Sequence, residues 1–339
     1  MKSLFLVTIS LLLMLGTACK EDITYYDEFG WDEQNIPDNT TSINSICFID
    51  SLNGWTAGGY VIDSERGIKY GKIFHTTDGG KIWEEQLTTD GNYFYRVYFQ
   101  NSQKGWVLGQ NGELYETIDG GTIWDTVALG TSNNLRGIHF IDDNNGWIVG
   151  TYGAIRKTTD GGTSWEDIKT ALSTHIMDVY FTDVNTGFLF GGDATQELSN
   201  GKIQKTIDGG NTWKLVYSNN SDLLRKASFI DENTGWAVGN NGLVIFTSDK
   251  GESWKERKTP SKYDLHGVDF TDEYNGWICG YSSQIYYTSD AGLSWDKQTT
   301  GKKENFHAVF FIDNLHGWLS GAYATIMYTD NGGIDIVSE

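Results

Sequence analysis

Basic side chains are scarce in this chain. Its 339 residues carry 25 Lys and Arg against 45 Asp and Glu, a formal charge of −20. That balance excludes nucleic acid or an anionic membrane surface as the main partner and describes an acidic, well-solvated exterior. Histidine is scattered, six residues with no i, i+2 or i, i+4 pair, so no metal-ligand spacing exists. Neither a nucleophile elbow nor a phosphate loop can be found. The sequence therefore asks for no metal and no cofactor. Its apolar run Leu4–Leu15 is too short to cross a bilayer as a helix. Room for helical repeats is missing too, because no unit offers ten residues of 3.6-residue periodicity. Aromatic residues, by contrast, make up 14% of the chain, with 13 Trp, enough for a large core and too many for disorder.

Those tryptophans are periodic. The octet Thr158-Thr159-Asp160-Gly161-Gly162-Thr163-Ser164-Trp165 has close copies at Thr76–Trp83, Thr117–Trp124, Thr206–Trp213, Thr247–Trp254 and Thr288–Trp295. Successive octet tryptophans are 41, 41, 48, 41 and 41 residues apart. Between the octets lies a second block, Phe-Ile-Asp-(x₃)-Gly-Trp and variants of it. It occurs at Phe48–Trp55, Phe99–Trp106, Phe140–Trp147, Phe229–Trp236, Phe270–Trp277 and Phe311–Trp318, with phenylalanine replacing the tryptophan in Phe181–Phe188. Seven units result, beginning near Ser42, Asn92, Asn133, Thr174, Asp222, Tyr263 and Asn305. Each contains four short strand-like runs between Gly, Asn and Asp turns; in the third unit they fall near Arg136–Ile141, Gly146–Gly150, Ala154–Thr158 and Trp165–Lys169. Four-stranded antiparallel units at this period are propeller blades, so the expected fold is an all-β, seven-bladed β-propeller over residues 31–339.

The octet has a structural job. Its Asp (Asp78, Asp119, Asp160, Asp208, Asp249 and Asp290) and Thr side chains can hold backbone N–H groups of their own turn, while Gly takes positive φ. Read as a calcium loop it supplies too few carboxylates for six to eight oxygens. These octets resemble Asp-box (BNR) repeats. Joined to the Gly-Trp blocks, the pattern resembles the photosystem II stability/assembly factor family of seven-bladed propellers. That resemblance implies an assembly or interaction scaffold. It leaves function open, because a propeller hosts many activities.

Two ends complete the plan. The seventh octet, Thr329–Ile336, has Asn331 at the Asp position and Ile336 at the Trp position. Trp31-Asp32-Glu33-Gln34 resembles Trp83-Glu84-Glu85-Gln86, and Trp31 stands 17 residues before Phe48 where other octet tryptophans stand 16 before their next Phe. Trp31–Ile36 is therefore expected to complete the seventh blade beside Ala324–Tyr328 and to protect its edge. Upstream, Met1-Lys2, the apolar run and Leu15-Gly16-Thr17-Ala18-Cys19 resemble a lipoprotein signal, with Lys20-Glu21-Asp22 resembling the surface-export signal of Bacteroidota lipoproteins. The resemblance implies a signal peptide over 1–18, lipidation at Cys19, a tether over 19–30, and an outer-membrane protein facing the cell exterior. A plain secretory signal is the alternative. Cys47 and Cys279 fall on blades one and six with a blade between them, too far apart to bridge, so two free, mostly buried thiols are expected.

In such a blade the a–b and c–d turns share one face, expected to be acidic and uniform. The b–c turns share the other, which carries the two long loops, 60–70 and 192–201. Four residues before each strand-a Phe, at the mouth of the central channel, stand Asn44, Tyr95, Arg136, Met177, Arg225, His266 and His307, with Arg96 adjacent. A cationic, aromatic mouth on an acidic protein marks Tyr95, Arg96, Arg136, Arg225, His266 and His307 as the candidate binding site for an anionic or polar group. The expected function is a non-catalytic, monomeric, lipid-anchored surface propeller binding an envelope protein or an extracellular polysaccharide. The membrane contact would be through the anchor alone. The alternative is a glycoside hydrolase or lyase, sialidase-like or xyloglucanase-like, acting on extracellular glycans.

Overall fold

The computed structural model describes residues 29–63, 68–170, 174–193 and 200–334. The expected signal peptide, Cys19 and most of the tether lie outside them, as do 64–67 and 194–199 of the two long loops. The described strands form seven four-stranded antiparallel sheets. Blade one comprises Ser42–Phe48, Gly54–Asp63, Ile68–Thr76 and Glu84–Asp90. Blade three comprises Leu135–Phe140, Gly146–Gly150, Ile155–Thr158 and Glu166–Asp167, within one residue of expectation except at the end of its outer strand.

Blade seven is closed from the N-terminus. Asp32–Gln34 pairs antiparallel with Ile326–Thr329, in the register Asp32↔Tyr328 and Gln34↔Ile326. Trp31 is fully buried and meets Phe311 edge-on at 5.9 Å, as Trp83 meets Phe48 at 5.9 Å and Trp124 meets Phe99 at 5.8 Å. It occupies the octet-tryptophan position, for which the seventh octet has no tryptophan in sequence.

Each blade interface is built on one phenylalanine. The last residue of strand a lies flat against the Gly-Trp tryptophan of the preceding blade, or in blade five against Phe188 at that position, and edge-on to its own octet tryptophan. Trp147 stacks on Phe181 at 3.4 Å, Trp236 on Phe270 at 3.6 Å and Trp318 on Phe48 at 3.7 Å. The glycine before that tryptophan is obligatory: a Cβ on Gly54 would lie 2.3 Å from the Phe48 ring. Five Gly-Trp tryptophans also donate to the octet carbonyl of the next blade; Trp55 Nε1 donates to Gly120 O at 3.2 Å and Trp318 Nε1 to Gly79 O at 3.2 Å.

Around the closure there is an additional clasp, at Gln34, Gln86 and Gln298, each three residues after a tryptophan. Gln298 Oε1 accepts from Trp31 Nε1 at 3.1 Å while its Nε2 donates to Gly332 O at 2.7 Å. Gln34 does the same for Trp83 and Gly79, and Gln86 for Trp124 and Gly120. At the other interfaces Val127, Ile168, Val216 and Arg257 hold the glutamine's place. There Trp165, Trp213, Trp254 and Trp295 have no partner for Nε1 among the described residues. The thiols match expectation: Cys47 is half-buried and Cys279 buried, both unpaired.

Candidate functional site

Strand a of every blade lines the central channel, which widens into a cavity of about 930 Å³. All six candidate residues line it, but at two depths and in different electrostatic states. At the mouth, the Arg136 guanidinium lies 3.5 Å from the centroid of Tyr95, and Gln110 Nε2 donates to the Tyr95 hydroxyl at 3.3 Å. Arg136 has no hydrogen bond or ion pair among the described residues, and its buried Nε is unsatisfied. Burial lowers its pKa, yet arginine stays charged.

Its neighbours are less cationic than the sequence implied. Arg225 donates from Nε to Asn240 at 2.7 Å and from Nη2 to Asp264 at 3.1 Å, so its charge is compensated. His266 stacks on Tyr281 at 4.2 Å; burial, with Arg225 and His307 beside it, pulls its pKa down to about 2. Burial also lowers His307, whose Nδ1 sits 3.3 Å from Ile43 O. Both imidazoles are neutral at pH 7. Arg96 points deeper, toward Asp178 at 3.9 Å. The cationic ring thus reduces to one uncompensated guanidinium on a tyrosine.

Below the mouth lies a layer that the sequence reading did not single out. Lys226 Nζ and the Ala227 N–H donate to Asp178 at 2.7 and 3.1 Å. Burial pushes the Asp178 carboxyl up, but Lys226 and Arg96 outweigh it and leave its pKa below the ordinary value. One step further in, the residue before each strand-a Phe reaches the next blade. The Phe181 N–H donates to His139 Nδ1 at 3.2 Å, the Phe270 N–H to Ser228 Oγ at 3.0 Å and the Phe311 N–H to Asp269 at 2.7 Å. These buried polar side chains are joints between blades. Burial raises Asp269 to about 7, with the Phe311 N–H offsetting only part of that. The signal was available as the positions one and three before each Phe.

The rim carries a second feature. Tight b–c turns place a residue in the left-handed region, at φ 53 for both Asn111 and Asn241. Asparagine tolerates that geometry. In blades three and seven the position is Tyr152 (φ 56) and Tyr323 (φ 53), two large rings 68% and 76% exposed. The sequence showed it as Gly-x-Tyr where blades two and five have Gly-x-Asn.

On the opposite face the Asp boxes are self-contained. Asp160 accepts from Thr158 Oγ1 at 2.8 Å and from the Ser164 N–H and Oγ at 2.9 and 2.6 Å, while Thr158 Oγ1 accepts from the Gly162 N–H at 2.8 Å. Asp78, Asp119, Asp208, Asp249 and Asp290 repeat the Thr and backbone contacts. Hydrogen bonds from Ser164 and Thr212 hold Asp160 and Asp208 down at about 2. The a–b aspartates act alike, Asp50 accepting from the Leu52 and Asn53 N–H groups. The expectation that this face is uniform needs correction. Large exposed apolar side chains stand on it in blades six, seven, one and two, and again in blade four, and none stands there in blades three and five among the described residues.

Comparison with known proteins places this geometry. A family model described as photosynthesis system II assembly factor YCF48 matches residues 117–176, 163–263 and 215–303, together more than half of the chain. No curated protein matches. A solved structure titled YCF48 bound to D1 peptide superposes with a TM-score of 0.68 at 19% identity, covering 90% of this chain and 96% of that one. YCF48 from Cyanidioschyzon merolae gives 0.67 at 19%, covering 88% and 98%. The GH74 xyloglucanase from Xanthomonas campestris gives 0.63 at 10%, covering 92% of this chain but 55% of that one. Repeat pattern, blade count and family match agree: the chain belongs to the YCF48 family of photosynthesis system II assembly factors with BNR propellers.

Proposed function

We propose that this protein is a non-catalytic polypeptide-binding propeller, lipid-anchored through Cys19 at the outer membrane, that holds an acidic segment of an envelope protein at the channel mouth. The observation that carries the reading is Arg136. A half-buried guanidinium with no carboxylate partner among the described residues, stacked on Tyr95 at the opening of a 930 Å³ cavity, leaves its donors for an incoming acid. The peptide-bound YCF48 relative supports a polypeptide as ligand. Glycan hydrolysis is the weaker reading. It needs two carboxylates free to flank a glycosidic bond, whereas Asp178 and Asp269 are each tied to the backbone of the next blade.

The test is calorimetric titration with acidic and amidated peptide pools, alongside a glycan panel scored for both binding and turnover. Acidic peptides should bind, and Arg136→Ala should weaken them roughly 10- to 100-fold, the worth of a charge-assisted hydrogen bond, without changing the unfolding midpoint. Turnover of any glycan abolished by Arg136→Ala, or peptide binding indifferent to it, would overturn this function.

A further inference from the structure

The apolar residues on the Asp-box face form an arc, and its position coincides with the place where the chain enters the propeller. Leu315 and Ile334 on blade seven, Leu52 and Ile82 on blade one, and Ile118 and Ile123 on blade two are all exposed, Ile118 to 72%. Blade six continues the arc with Tyr274 and Leu293. Four consecutive blades thus each present two large apolar side chains to solvent, on a protein whose sequence is strongly acidic. Exposed large apolar side chains repeated on neighbouring blades mark an interaction surface. None of these side chains is needed for the turn geometry, since blade three has Thr159, Thr163 and Ser164 at the same positions of its box and Asn144 at the same position of its a–b turn.

The occupant follows from the entry point of the chain. Gly30 lies against Gly333 and Ile334, at the octet end of blade seven and therefore inside the arc. About 11 residues separate Gly30 from Cys19, a reach of at most ~36–40 Å even when fully extended. A lipid on Cys19 would hold this face, and not the channel mouth, within a short tether of the bilayer.

We propose that the apolar arc of blades six, seven, one and two rests in the headgroup layer of a zwitterionic membrane, turning the channel mouth toward the aqueous side. The proposal rests on the lipid anchor argued above. It commits to neutral lipid because the arc is studded with ionised carboxylates, among them Asp50, Asp78, Asp119 and Asp313, whose own turns donate N–H groups to them. Aliphatic side chains can enter an interface that such carboxylates only border. The arc also spans the three interfaces clasped by Gln34, Gln86 and Gln298, so the clasped part of the ring is the part set against the membrane.

The test uses the full lipidated chain with Cys47→Ser, reconstituted in phosphatidylethanolamine/phosphatidylcholine vesicles and carrying a fluorophore at Ile118→Cys or at Tyr152→Cys. Nitroxide-labelled lipid should quench the Ile118→Cys probe at least twofold more than the Tyr152→Cys probe. Replacing Ile82 and Ile123 by Ser should halve that difference. A chain that fails to float with the vesicles refutes the anchor and the lipid occupant together. One that floats with both probes quenched equally, or with neither quenched, refutes the orientation alone. Shielding at Ile118→Cys that appears only with a dimer in sedimentation assigns the arc to a second copy and also overturns the proposal.

Discussion

The two faces of this propeller expose different kinds of apolar group. Among the described residues, the large exposed groups around the channel mouth are tyrosines, Tyr152, Tyr263, Tyr281 and Tyr323; on the Asp-box face all but Tyr274 are aliphatic. A tyrosine combines apolar area with a polar tip and suits wet, selective contacts, whereas an isoleucine gains only by leaving water. Polar groups differ in the same sense. On the box face the aspartates are occupied within their own turns, while at the mouth Arg136 Nε and His266 Nε2 are buried without partners. One face is chemically closed and apolar in an arc. The other is chemically open.

The largest effect should come from breaking the ring that holds the faces apart. Trp31→Ala removes a buried indole, its contact with Phe311 and its bond to Gln298, and should cost ~3–5 kcal/mol. Deleting residues 25–38 should abolish cooperative unfolding in denaturant; a truncated chain that still unfolds in one sharp transition would refute closure by the N-terminal strand.

The joints between the faces should respond to pH. An unfolded aspartate titrates near 3.9, whereas Asp269 titrates at about 7 in the fold. The native state therefore holds the extra proton between these values, and stability present below about pH 4 is lost as pH rises through about 7. Asp269→Asn keeps an acceptor for the Phe311 N–H and removes that loss. The stability gap between variant and parent should shift in the variant's favour by ~2–4 kcal/mol from about pH 4.5 to about pH 8. A gap that does not change with pH would show that Asp269 is ionised throughout.

Within a box, Thr158→Val keeps the shape and leaves the buried Gly162 N–H without its acceptor. Stability should fall by ~1–3 kcal/mol while peptide affinity stays constant. Lost affinity would mean that the closed face reaches the ligand after all. At the rim the sign reverses. Tyr152→Asn relieves a left-handed tyrosine and should stabilise by ~0.5–1 kcal/mol while weakening peptide binding. A lower unfolding midpoint would show that the ring supports the fold.

The blades were legible because their code is local. Thr, Asp and Gly of each octet bond within five residues, so spacing alone located every turn, and the damaged octet at Thr329 pointed to Trp31. The mouth was half legible. Position in the repeat placed Arg136 and Tyr95 at the mouth, but the same rule counted Arg225 toward a cationic mouth and set His266 and His307 beside it. It could not see Asp264, 39 residues away from Arg225, or the burial that neutralises His266. Asp178 and Asp269 escaped notice because each contacts the next blade, some 42 to 49 residues on.

By itself, then, the sequence determined the number of blades, the closure of the ring and which turns share a face, because those depend on turn chemistry and a repeated distance along the chain. Which charges are compensated, which polar side chains become joints, and where apolar groups gather into an arc were decided only by the tertiary structure. Pairing and exposure are set by neighbours one blade away. The curvature of the closed ring brings those neighbours together.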